Sequence, residues 1–148
     1  MFFTRTFGKA MVARIRGDAD AARTAFNAAR VQQERVVRAQ PAHAPSLCAL
    51  ALIDAGLGQK EDALREGRRA VDLLPVERDA LAGADMIYGF AIICAWIGEN
   101  DLAFEQLAIE TQKPGLLSYG QLKFQPWWDP LRGDPRFEKI LASLAPKE

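Results

Sequence analysis

Glycine recurs at Gly17, Gly58 and Gly98, and each is followed five residues later by alanine, at Ala22, Ala63 and Ala103. A single spacing around a turn residue, met three times, is what a stacked supersecondary unit leaves in a sequence. It confines the chain to an architecture of repeated hairpins.

The middle copy shows what each hairpin is made of. Leu47, Leu50, Ala51, Asp54, Gly58, Ala63, Gly67, Ala70 and Pro75 place apolar and small residues three and four apart on both sides of Gly58. That period belongs to two amphipathic helices. Between them, GLGQKEDAL (56–64) supplies a glycine for the left-handed residue that closes a helix, and carboxylates for the first turn of the next. Pro75 ends the unit, because its ring cannot continue a helix.

This pattern resembles the tetratricopeptide repeat, which has a small residue in its first helix, a Gly-rich turn, an alanine and an aromatic or small residue in its second, and a closing proline. The matching positions are Ala10, Gly17, Ala22, Phe26 and Ala29 in copy one, and Ile87, Phe90, Ala91, Gly98, Ala103 and Leu107 in copy three. The resemblance covers residues 3–111 and implies an all-α fold of three helical hairpins in a right-handed superhelix. It also implies a protein-interaction scaffold that holds a protein or peptide segment against a concave wall of first helices. Carried over residue by residue, that wall is Phe7, Met11 and Ile15, then Cys48, Leu52 and Ala55, then Tyr88, Ile92 and Trp96. Such a wall suits an apolar or amphipathic segment. Apart from Arg14 it lacks the Lys, Arg and Asn with which family members clamp acidic peptide termini.

The intervals depart from the family's roughly 34 residues, since 58 − 17 = 41 and 98 − 58 = 40. The excess is close to two helical turns, so a helix can lengthen while its apolar stripe keeps facing one way. VQQERVVRAQ, free of Gly and Pro, extends the second helix of copy one over 19–39, and VERDALAGAD (76–85) starts the first helix of copy three early. Both extensions should project beyond an ordinary stack.

Residues 1–114 therefore hold three hairpins and residues 115–148 an aromatic-rich tail with a capping helix over 135–145, Phe137, Ile140, Leu141 and Leu144 facing inward. An end repeat needs such a cap, having no neighbour to cover its stacking face. Tyr119, Phe124, Trp127 and Trp128 give the tail enough apolar surface to pack on the last hairpin or into the groove. Alternatively they fill only the terminal core, and the groove stays open for an external helix or a second subunit. At the other end Phe2, Phe3 and Phe7 leave an apolar face, which a preceding domain or self-association would cover.

Little here is equipped for catalysis. The one histidine, His43, lies in PAHAP as a solvated loop residue, and the two cysteines, Cys48 and Cys94, sit far apart at apolar helical positions as small buried hydrophobes. No phosphate-binding loop, dinucleotide fingerprint or nucleophile elbow occurs. Asp129 and Asp134 each precede a proline, the arrangement of a helix N-cap rather than an acid–base pair. The same holds for the two Arg-Gly-Asp tripeptides, at 16–18 and 132–134, which fall where one helix ends and the next is capped. The expectation is a protein with no catalytic, cofactor-binding or metal-ligating residues.

A net charge of zero and a pI near 6.6 make nucleic acid a poor partner. The halves differ: residues 1–74 hold 12 basic and 8 acidic side chains and residues 75–148 hold 7 and 11, or +4 and −4. This asymmetry fits head-to-tail contacts or an acidic partner at the N-terminal end, and equally fits solvated helix faces. MFFTRTFGKAMVARIRG has no uninterrupted apolar region of a secretory signal. The longest apolar run, MIYGFAIICAWI (86–97), spans about 18 Å as a helix against a hydrocarbon core of about 30 Å. No membrane insertion is expected, and the cytoplasm is the expected compartment unless the region follows a membrane span.

The ending QPWWDPLRGDPRFEKIL is similar to the close of repeat regions at the C-termini of large bacterial signalling proteins, where a serine/threonine kinase, cyclase or DNA-binding regulator domain precedes the repeats. That similarity implies a bacterial origin and a sensory or protein-binding role, or an assembly unit that positions other domains.

Overall fold

The computed structural model describes residues 4–112 and 117–146. Among them there are helices and turns and no strand. Six helices come first: α1 (Arg5–Ile15), α2 (Ala19–Ala39), α3 (Ala44–Gly56), α4 (Lys60–Leu73), α5 (Ala80–Trp96) and α6 (Asn100–Thr111). The tail adds α7 (Tyr119–Phe124), a 3-10 turn (Pro126–Leu131) and α8 (Pro135–Ser143).

The three recurring glycines are the breaks between α1 and α2, α3 and α4, and α5 and α6. Their φ angles are +74°, +75° and +80°, a left-handed geometry that costs any residue with a side chain about 1–2 kcal/mol. Each break closes with the same pair of bonds. The glycine N–H donates three residues back, to Arg14, Ala55 and Ala95, and the next N–H donates five back, to Ala13, Asp54 and Cys94. That pairing is the Schellman closure. Asp18 follows Gly17 and caps α2 by accepting from the Ala21 N–H at 3.0 Å, so one dipeptide ends a helix and starts its partner. The alanines five residues after each glycine are all buried, small enough to let the second helix lie close.

α1 packs on α2, α3 on α4 and α5 on α6, and the hairpins join through α2 against α3 and through α5 against both α3 and α4. No seam of comparable extent joins α1 to α3. Two helix contacts depend on missing side chains. A Cβ on Gly56 would stand 2.6 Å from the Phe26 ring, and one on Gly67 2.6 Å from the Phe90 ring. Phe26, fully buried, also meets Phe7 and Trp96 edge-on at 6.1 and 6.4 Å between ring centres.

α2 spans the expected 19–39 and is the longest helix of the described residues. α5 begins later than VERDALAGAD suggests, at Ala80 rather than in 76–79, because Pro75 accepts from the Arg78 and Asp79 N–H groups in a separate turn. That turn folds over α5, where a Cβ on Gly83 would come within 2.7 Å of the Val76 backbone. Asp79 then caps α5 through the Leu81 and Ala82 N–H groups.

The expected division at 114/115 lies outside the described residues. The tail is not a separate body, since Leu117, Leu122, Trp128, Leu131 and Phe137 belong to the same buried cluster as the hairpins. α8 takes the place of a cap: Phe137 is fully buried, and Ile140, Leu141 and Leu144 are partly buried against the core. Asp134 caps it through the Arg136 N–H. Asp129 does not cap a helix. It lies inside the 3-10 turn and pairs with Arg132 at 2.8 Å, since Pro126 two residues after Phe124 has already opened that turn.

Candidate functional site

The wall residues carried over from the repeat do not form one open surface. Phe7, Met11, Cys48, Leu52 and Ile92 are all buried, and so is Ala55. Phe7 faces Phe26 of its own hairpin, and Cys48 lies wholly in the core. Burial drives the Cys48 and Cys94 thiols up to about 12, so neither is a thiolate at neutral pH. Ile15 is 58% exposed at the end of α1. Tyr88 and Trp96 are half-buried, and what covers them is the tail.

The tail runs along α5 in the same direction as that helix. Gln121 shares a cleft with Asp85, the Tyr88 hydroxyl donates to Gln125 Oε1, and Trp96 Nε1 donates to the Trp127 carbonyl at 3.1 Å. Trp128 inserts behind this line, fully buried and edge-on to Tyr88 at 5.5 Å. Farther on, Pro126 and Pro130 border a hollow whose other side is Met11, Arg14 and Ile15 of α1. The Arg14 guanidinium lies 4.2 Å from the centre of the Trp96 ring. Trp96 thus joins α1, α2, α5 and the tail.

Between α3, α5 and the tail there remains a cleft of about 260 Å³ lined by Leu52, Asp85, Tyr88, Gly89, Ile92, Gln121, Gln125 and Trp127. Leu52 and Ile92 are buried, while Asp85 is exposed. Gln125 Oε1 also accepts from Trp127 Nε1 at 2.8 Å, so a single amide oxygen fixes both aromatic side chains. Burial drives the Tyr88 phenol up to about 12, which keeps it a neutral donor. Asp85, Gln121 and Gln125 did not stand out in the sequence as wall residues. Asp85 carried a signal nonetheless, as the only charged residue within the apolar helix AGADMIYGFAIICAW.

A second polar cluster lies between hairpins one and two. Asp54, completely buried in α3, accepts from Arg30 Nε at 2.6 Å, and Arg30 Nη1 pairs with Glu34 at 2.6 Å. Glu66 of α4 lies beside Asp54, and Asp54 Oδ2 and Glu66 Oε2 are both buried without a hydrogen-bond partner among the described residues. Burial, reinforced by the Asp54 charge, drives the Glu66 carboxyl up to about 7. Burial likewise raises Asp54, opposed by Arg30.

Among the described residues no group of three or more His, Cys, Asp or Glu side chains is placed to hold a metal ion. None of the described helices is long and apolar enough to cross a membrane. His43 occupies the N-cap position of α3, exposed, with Nδ1 2.7 Å from Ser46 Oγ. Compared with protein-family models, with characterised proteins and with solved structures, the chain matches none.

Proposed function

We propose that this chain is a repeat scaffold of the tetratricopeptide kind, its hairpins stacked as a right-handed superhelix, with a binding rather than a catalytic role. Its own tail fills part of the groove, and the open remainder takes a segment of a partner protein. The supporting observation is the way the wall already holds a segment. Trp96 Nε1 donates to a main-chain carbonyl, Tyr88 donates to a side-chain amide, and Trp128 fills the apolar space behind. Side-chain donors for a segment's backbone and an apolar seat for its side chain are what groove recognition requires.

The test is capture of partners from a lysate of the encoding organism on the intact chain, comparing Asp85→Trp with Val12→Glu. Tryptophan at the exposed position 85 fills the cleft, while Val12 lies on the outer face of hairpin one. A groove binder is lost from Asp85→Trp and kept by Val12→Glu.

The opposite pattern supports the second reading, an assembly module joined through its N-terminal end. The first hairpin exposes Val12, Ile15 and Val31 at 49%, 58% and 53%. Of the aromatic residues expected to form the N-terminal face, Phe7 is buried, and Phe2 and Phe3 lie outside the described residues.

A further inference from the structure

We infer that the cleft between α3, α5 and the tail receives a lysine side chain of the partner segment, its ammonium on Asp85 between Tyr88 and Trp127. This rests on the groove reading above and specifies the chemistry of what enters.

Size, shape and charge point the same way. At about 260 Å³ the cleft is below the roughly 300–1,000 Å³ of sites that take drug-sized molecules, and suits one long side chain. Its floor is aliphatic, Leu52 and Ile92, and Gly89 adds no side chain to the lining. A four-carbon stem can lie on such a floor with its charge at the rim, as lysine stems do on apolar surfaces. The rim carries one charged group, Asp85, which forms no hydrogen bond or ion pair with another described residue.

The two aromatic rings are held in place before anything binds. Gln125 Oε1 is occupied by Tyr88 and Trp127, so neither ring has to be ordered by the ligand. An ammonium close to such rings is attracted by their negative faces. The same part of the chain uses this contact internally: Arg14 lies on Trp96 at 4.2 Å, and Lys123 lies 4.9 Å from the Tyr119 ring centre. An anionic group would meet Asp85 without a compensating cation in the lining.

The probes are N-acetyl-lysine N-methylamide, the norleucine analogue with the same carbon stem and no ammonium, and n-butylammonium. Each is titrated into the intact chain while the Trp127 indole N–H resonance is followed. The lysine amide should saturate and shift that resonance, with the norleucine amide about tenfold weaker, as loss of the cation–aromatic and ionic contacts requires. Asp85→Asn should weaken the lysine amide by about two- to fivefold, an exposed ion pair's share, and leave the melting temperature unchanged. Norleucine binding as well as lysine, no saturation by the lysine amide, or no effect of Asp85→Asn overturns the inference. Butylammonium, the same stem and charge without a backbone, should bind about as tightly as the lysine amide; binding of the amide with none of butylammonium would place the contact on the backbone groups and overturn the inference. Partner capture abolished by Asp85→Trp but indifferent to Asp85→Asn sinks the lysine and keeps the groove; capture indifferent to both sinks the groove reading.

Discussion

The buried Asp54, with Arg30, Glu34 and Glu66 around it, places three carboxyl groups about the Arg30 guanidinium between the first two hairpins, with Arg65 3.7 Å from Glu66 at the edge. Burial raises both Asp54 and Glu66, which makes stability depend on pH. The Glu66 carboxyl is raised on folding from its ordinary 4.5 to about 7. Its contribution is therefore complete below about pH 4.5 and is lost as pH rises through about 7. Glu66→Gln keeps a neutral partner for Asp54 at every pH. At pH 8 this variant should be more stable than the parent by about 1 kcal/mol, or about 4 °C in Tm, and the difference should vanish near pH 4. Thermal melts of both proteins across that range check it, and parallel pH profiles would contradict a raised Glu66 carboxyl. The sequence marks only Asp54, a carboxylate within the periodic apolar stripe of the middle hairpin, whereas Arg30 and Glu66 each read as one charge on a solvated helix face. Only the packing of α2, α3 and α4 makes them neighbours.

At the scale of elements, the hairpin breaks were legible because backbone chemistry writes them. A left-handed residue followed by an N-cap leaves a Gly and a capping side chain, as at Gly17 and Asp18, and the same physics recurs whatever packs around it. α2 was legible over 19–39 because no Gly or Pro interrupts its apolar stripe. The start of α5 was not, since 76–79 are adequate helix formers, and what holds them in a separate turn is the Pro75 carbonyl, the Asp79 cap and the close approach of Val76 to Gly83. Close approach through glycine is equally hidden at Gly56, which reads as part of a turn and serves as the seat of the Phe26 ring. Gly56→Ala should cost about 1–3 kcal/mol, because Phe26 is enclosed by Phe7 and Trp96 and cannot swing away freely. Phe26→Leu in that background should recover part of the loss. Urea denaturation of the two single variants and the double variant measures it; strictly additive effects would show that the contact carries no strain.

For the molecule as a whole, the sequence disclosed the parts of the groove and not its occupancy. Periodicity located the first helices and composition located an aromatic tail, yet which surface the tail covers depends on where α1 and α5 converge. They do so at Trp96, beside Phe26 and under Arg14, and the tail crosses there. The residues expected to meet a partner, Phe7, Cys48 and Ile92 among them, are buried in the core, and Asp85 is exposed beside the cleft that remains. A tail that completes the core unfolds with the hairpins and not before them. Amide hydrogen exchange on the intact chain, followed peptide by peptide, tests this most directly. Amides of the 3-10 turn and α8 should be protected to the same degree as those of α5, all opening in one cooperative event. Rapid exchange throughout 117–146 beside a protected α3–α6 would show the tail to be a loose appendage and the groove to be open.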